Sequence, residues 1–154
     1  MTIKSKKLSV RKTSLKTKKP KRTKILCVSH QEDADGISSA ALIKQAFGGD
    51  TILVDYPGMM DILETLRNDE KLKKLFICDL GLNKQTSDMF VDLLTDLRKK
   101  RISVTYIDHH DIDSKIITKL KKIKVKLIHN ISECTSVLVY DTYKKKLSEH
   151  STFI

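Results

Sequence analysis

None of the three cysteines, Cys27, Cys78 and Cys134, stands in a C-x-x-C pair, and an odd, scattered set excludes both a disulfide framework and a zinc cluster. All three are expected to be small core residues, Cys27 and Cys78 inside strands and Cys134 near a helix start. Apolar runs are too short for a signal-peptide core or a membrane span, so the expectation is an intracellular, cytoplasmic protein with no membrane partner. Internal repeats are missing, and no glycine follows Gly81. Residues 1–24 contain no acid and no aromatic.

That stretch carries 11 Lys and Arg, so of the 30 in the chain 19 remain, matching the 19 Asp and Glu. The net charge of +11 therefore belongs to the tail, and the rest of the chain is neutral. Such a segment repels itself and buries little, which predicts a disordered basic tail over 1–24 ahead of a domain over 25–154. A phosphate-seeking arm for nucleic acid and a merely solubilising N-terminus both fit it, since no aromatic interleaves the charges for base stacking. A mitochondrial presequence fits less well, because those are Arg-rich and amphipathic.

With 154 residues and 40% hydrophobic composition, the chain can bury one core. Short apolar runs at Ile25–Val28, Thr51–Val54, Leu75–Cys78, Ile102–Ile107 and Val125–Ile128 predict strands. Between them lie helical spacings: Ile37 to Phe47, then Met59, Ile62, Leu63 and Leu66, then Phe90, Leu93, Leu94 and Leu97, with a closing helix from about Cys134 to Leu147. The stretch from Asp111 to Lys124 has helical apolar spacing but so many lysines that a frayed end is expected. Alternation of this kind predicts an α/β fold, a mostly parallel sheet with helices on both faces.

Acids and imidazoles follow three of the strands directly. Ser29 to Ser39 reads S-H-Q-E-D-A-D-G-I-S-S after the first strand, Asp79-Leu80-Gly81 follows the third, and Asp108-His109-His110 follows the fourth. Each alone is equally a polar turn: an Asp-Gly turn capped by its own side chains, or imidazoles bonded locally. Together they supply one ligand set, because open parallel sheets bind ligands outside the carboxyl ends of their strands. Asp33 and Asp79 can share one divalent ion while Asp35, Asp79 and His109 hold a second, with Asp79 bridging. Carboxylates with one imidazole per ion favour Mn²⁺, with Mg²⁺ as a substitute. Two such ions activate a water for attack at a phosphoryl centre, which predicts hydrolysis of phosphoesters or phosphoanhydrides.

The motifs D-A-D-G at Asp33 to Gly36, D-L-G at Asp79 to Gly81 and D-H-H at Asp108 to His110, in that order, resemble the DHH phosphoesterase superfamily. That superfamily includes RecJ-type single-strand exonucleases, nano-RNases, cyclic dinucleotide phosphodiesterases, exopolyphosphatases and family II pyrophosphatases. The resemblance spans residues 25 to about 147 and implies a catalytic N-terminal domain with a two-manganese centre. It implies Asp33, Asp35, Asp79 and His109 as metal ligands, Asp108 supporting the His pair from behind, and His110 near the scissile phosphate.

His30 is a further ligand candidate, although it precedes Asp33 by three residues where many relatives have four, and Ser29 fills the fourth place. Glu133-Cys134-Thr135-Ser136 resembles the polar helix start after the DHH strand, where Thr135 and Ser136 either meet a phosphate or simply cap the helix. The family's fourth-motif aspartate and glycine-rich second domain have no counterpart between Thr135 and Ile154, so the domain is expected to be incomplete at its C-terminal end. A partner chain or a missing second domain would then complete the site. The substrate implied is nucleic acid or a nucleotide, in the form of short oligonucleotides or single strands. The alternative is a non-catalytic relative that serves as a binding or scaffold subunit in nucleic-acid metabolism.

Overall fold

The computed structural model describes residues 24–148. The basic tail up to residue 23 and residues 149–154 lie outside the described residues, and the expectations of a disordered tail and an incomplete C-terminal end fall there or beyond. Lys24 is already part of the domain: it opens the first strand and its ammonium pairs with Asp69 at 2.9 Å.

Five strands form one sheet, β1 (Lys24–His30), β2 (Asp50–Val54), β3 (Leu72–Cys78), β4 (Ser103–Asp108) and β5 (Lys126–His129). They lie in the order β2-β1-β3-β4-β5, and every neighbouring pair is parallel. Parallel strands must be joined by crossovers, which α1 (Ala34–Phe47), α2 (Tyr56–Thr65), α3 (Ser87–Lys99) and α4 (Ser114–Lys122) provide. A fifth helix, α5 (Thr135–Tyr143), follows β5 and runs into a single 3-10 turn at Lys144–Lys146.

The apolar runs are continuous because both sheet faces are covered. Leu26, Val28, Leu75, Ile77, Val104 and Tyr106 pack with α2, α3 and α4, while Cys27, Phe76, Cys78 and Ile107 pack with α1 and α5. On α3, Phe90, Leu93, Leu94 and Leu97 are fully buried, each such side chain contributing about 1.5–3 kcal/mol. Lysines did not fray α4: Asp113 caps it by accepting from the Lys115 amide at 2.7 Å, and Ile116 and Leu120 are buried while the lysines face outward. Cys27 and Cys78 are buried free thiols. Cys134, expected in the core, is exposed, because it stands at the cap position just outside α5.

Strand order reverses between β1 and β3: β1 leads out to β2 on one side, and β3 starts the run towards β5 on the other. The register places Ser29 beside Cys78 and Cys78 beside Ile107. One residue further along, His30, Asp79 and Asp108 leave their strands at the same edge. This is the crevice where parallel sheets of this order bind ligands.

Candidate metal centre

The β1–α1 turn is built by close approach. A Cβ on Gly36 would stand 2.3 Å from the His30 carbonyl oxygen, so no larger residue fits there. Ser29 Oγ lies 2.7 Å from the Gly36 carbonyl oxygen and 3.1 Å from that of Cys78, tying the turn to β3. Asp33 sits at the N-cap of α1: its Oδ1 accepts from the Gly36 amide at 2.9 Å and its Oδ2 stands 3.1 Å from His30 Nδ1. The Gly36 amide, more than any other contact, holds the Asp33 carboxyl below its usual range. The self-capped turn and the outward carboxylate are therefore the same residue, using different oxygens.

Asp79 takes a left-handed backbone conformation, φ 55°, which Asp tolerates better than most residues. It is buried, and its Oδ1 accepts from Thr135 Oγ1 at 3.0 Å while its Oδ2 has no hydrogen-bond partner. Burial first, and then the negative charge of Asp35, push its pKa up to about 6. His109 Nε2 lies 3.4 Å from Asp79 Oδ1 and 3.8 Å from Asp35 Oδ2.

Asp108 is fully buried and touches one imidazole of the pair rather than both. His110 Nδ1 lies 2.8 Å from its Oδ1, and Tyr106 Oη donates to its Oδ2 at 2.8 Å. Gly81 lies against the back of the His110 ring, where a Cβ would come within 2.9 Å of Cγ. His110 is thus clamped with Nε2 facing outward, 3.1 Å from Tyr56 Oη.

Two donor groups result, His30–Asp33–Asp79 and Asp79–His109–His110, with the ligand atoms of each within 4.8 Å of one another. Asp79 belongs to both. His30 is buried with Nε2 lacking any hydrogen-bond partner, and Glu32 Oε2 stands 3.7 Å from it, beyond reach. Two orphaned buried polar atoms inside a carboxylate–imidazole set fit a divalent cation, because an unmet polar group in the interior costs free energy.

Asp35 departs from the expected set. Both its oxygens accept backbone amides at the start of α5, Thr135 at 2.8 Å and Ser136 at 2.7 Å, so His110 stands in the second group where Asp35 was expected. Thr135 and Ser136 are engaged within the fold: their amides meet Asp35 and the Thr135 hydroxyl donates to Asp79. The cap position belongs to Cys134, which makes no capping bond with its side chain, and the amides at the positive end of α5 take Asp35 instead.

Two residues at this edge were not anticipated. Tyr56, just past the end of β2, packs its ring 4.7 Å from that of His30 and reaches His110. His129, the last residue of β5, holds the His110 carbonyl through Nε2 at 2.7 Å. His129 ends β5, where the rule applied to the first, third and fourth strands would have found it, whereas Tyr56, the first residue of α2, is neither acid nor imidazole and carried no such signal.

Comparison with known proteins now bears on this geometry. The DHH family, N-terminal domain, matches residues 24–153. The chain belongs to the DHH family. Membership places this DHH domain in a phosphoesterase-type superfamily, and the acid and imidazole groups above are its candidates for metal. No curated protein matches the chain significantly. Among solved structures, the fold is similar to an uncharacterized protein from Helicobacter pylori G27, with TM-score 0.61 and 21% identity over 85% of this chain. The matched part is 40% of that protein's length.

Proposed function

We infer that this DHH domain is a divalent-metal-dependent phosphoesterase that hydrolyses phosphodiester or phosphoanhydride bonds of short oligonucleotides or single-stranded nucleic acid. The observation that carries this reading is Asp79, buried, shared by two donor groups and left with an unpartnered oxygen. Asp33 and His30 would hold one ion with it, and His109 the other, with Asp35 adjacent. The donor set suits Mn²⁺, with Mg²⁺ as a substitute. Two such ions, when bound, supply an activated water and neutralise phosphoryl oxygens during in-line displacement.

The remaining residues do the positioning. Asp108, itself held by Tyr106, keeps the proton of His110 on Nδ1, which directs Nε2 towards a phosphate oxygen or leaving group. Tyr56 Oη meets that nitrogen at 3.1 Å, so a substrate oxygen would take its place there, and the Tyr56 ring packs against His30. The open side of the site is completed, in this reading, by a second domain or a partner chain. One observation favours the alternative of a non-catalytic scaffold: Asp35 has both oxygens engaged within the fold, as a bracing carboxylate would.

The test is turnover of a dinucleotide by the full chain, followed by separation of the mononucleotide products. The expectation is hydrolysis with Mn²⁺ and none with chelator, a loss of about 10²-fold or more in His110→Ala, and no change when the lysines of residues 1–23 become Gln. A chain that binds Mn²⁺ yet releases no nucleotide would support the scaffold instead.

A further inference from the structure

On the sheet face covered by α1 and α5 three lysines converge on an aromatic cluster. Lys74 enters β3 two residues before Phe76, and its ammonium lies 4.0 Å from the ring centre of Phe47 and 4.8 Å from that of Phe76. Lys146 approaches Phe47 to 4.8 Å, and Lys126, at the start of β5, approaches Tyr143 to 5.1 Å. Phe47, Phe76 and Tyr143 pack against one another with ring centres 4.7 to 6.1 Å apart, forming the floor beneath these charges.

No carboxylate among the described residues pairs with these three lysines. Asp141, the nearest acid before Lys146 in sequence, faces Lys144 at 3.6 Å. Burial first, and then the charges of Lys146 and Lys126, hold the half-buried Lys74 ammonium below its usual range. Three cations gathered on a partly apolar floor repel one another, and the ring contacts offset this only in part. An anion would remove the conflict.

We propose that Lys74, Lys126 and Lys146 form a binding surface for the phosphate backbone of single-stranded nucleic acid, remote from the metal centre. Five residues along the chain separate Lys74 from Asp79, about 16 Å at strand rise, so a strand of several nucleotides can engage both the metal centre and this face. The lysines already cover the ring faces, so the contact is to phosphate rather than by base stacking. A lipid surface fits less well. The large exposed apolar side chains among the described residues are Ile37, Leu53, Tyr56, Met89, Ile131 and Val137, and all lie in the first turns of helices or near strand ends, at the metal-centre edge. The choice of polymer rests on the nucleic-acid reading above, and the test is run without metal so that the two can fail separately.

Fluorescence anisotropy of a labelled oligothymidylate with the full chain, in chelator and across a salt series, reads the contact directly. Replacing all three lysines by Gln is expected to weaken binding and to reduce the slope of log K against log salt by about 2, the value for three phosphate contacts on a single strand. Lys126→Glu with Lys146→Glu, at exposed positions, serves if the Lys74 change disturbs folding, and should also flatten the slope. Hydrolysis of a dinucleotide, too short to reach the patch, should be unchanged. An unaltered salt slope in a folded variant would overturn the proposal. So would loss of binding to phosphatidylserine vesicles with oligothymidylate affinity intact.

Discussion

Asp79 carries an electrostatic cost that the metal-free fold must bear. Its carboxyl titrates at about 6 in the folded chain against 3.8 for an ordinary aspartate. Between those values the folded state binds more protons than the unfolded one, so this group's contribution is most favourable below pH about 4 and is lost as pH rises through 6. At neutral pH the loss is on the order of 3 kcal/mol, at 1.36 kcal/mol per pKa unit. Asp79→Asn removes the charge, keeps the shape and accepts the left-handed backbone. Urea melts of metal-free protein should show the Asn variant more stable than the parent near neutral pH, with the gap closing towards pH about 4. A gap that ignores pH would mean that this carboxylate is not strained by burial.

At the scale of elements, the strands and their outgoing turns were legible because local pattern decides them. Ile25–Val28 and Leu75–Cys78 are runs that only a two-faced sheet can bury, and each ends on an acid within a residue or a few. The attachment of α5 was not legible. Asp35 meets the Thr135 and Ser136 amides across a separation of 100 residues, and nothing in a polar helix start announces which carboxylate will come to it. Tyr56 likewise depends on β2 lying beside β1. Asp35→Ala should therefore loosen α5 even without metal, costing about 1–2 kcal/mol as lost helix N-termini do. Hydrogen exchange at the Thr135 and Ser136 amides should quicken while β1 stays protected; unchanged exchange there would show that α5 is held by its apolar face alone.

For the molecule as a whole, one parallel sheet carries two separate side-chain clusters. The carboxyl edge gathers Asp33, Asp79, Asp108, His109 and His110, with helix starts around them. Lys74 and Lys126 meet on the face covered by α1 and α5, because register sets Lys126 level with Phe76, across β4 through Thr105, two residues beyond Lys74 along β3. Among the described residues no helix is long and apolar enough to cross a membrane. The account depends on Asp79 standing between two cation sites, and calorimetric titration of Mn²⁺ into metal-stripped protein tests that most directly. The parent chain should take up about two ions, and Asp79→Asn, folded and by the argument above more stable, should take up neither. Uptake by the Asn variant equal to the parent's, or no uptake by a folded parent, would contradict it.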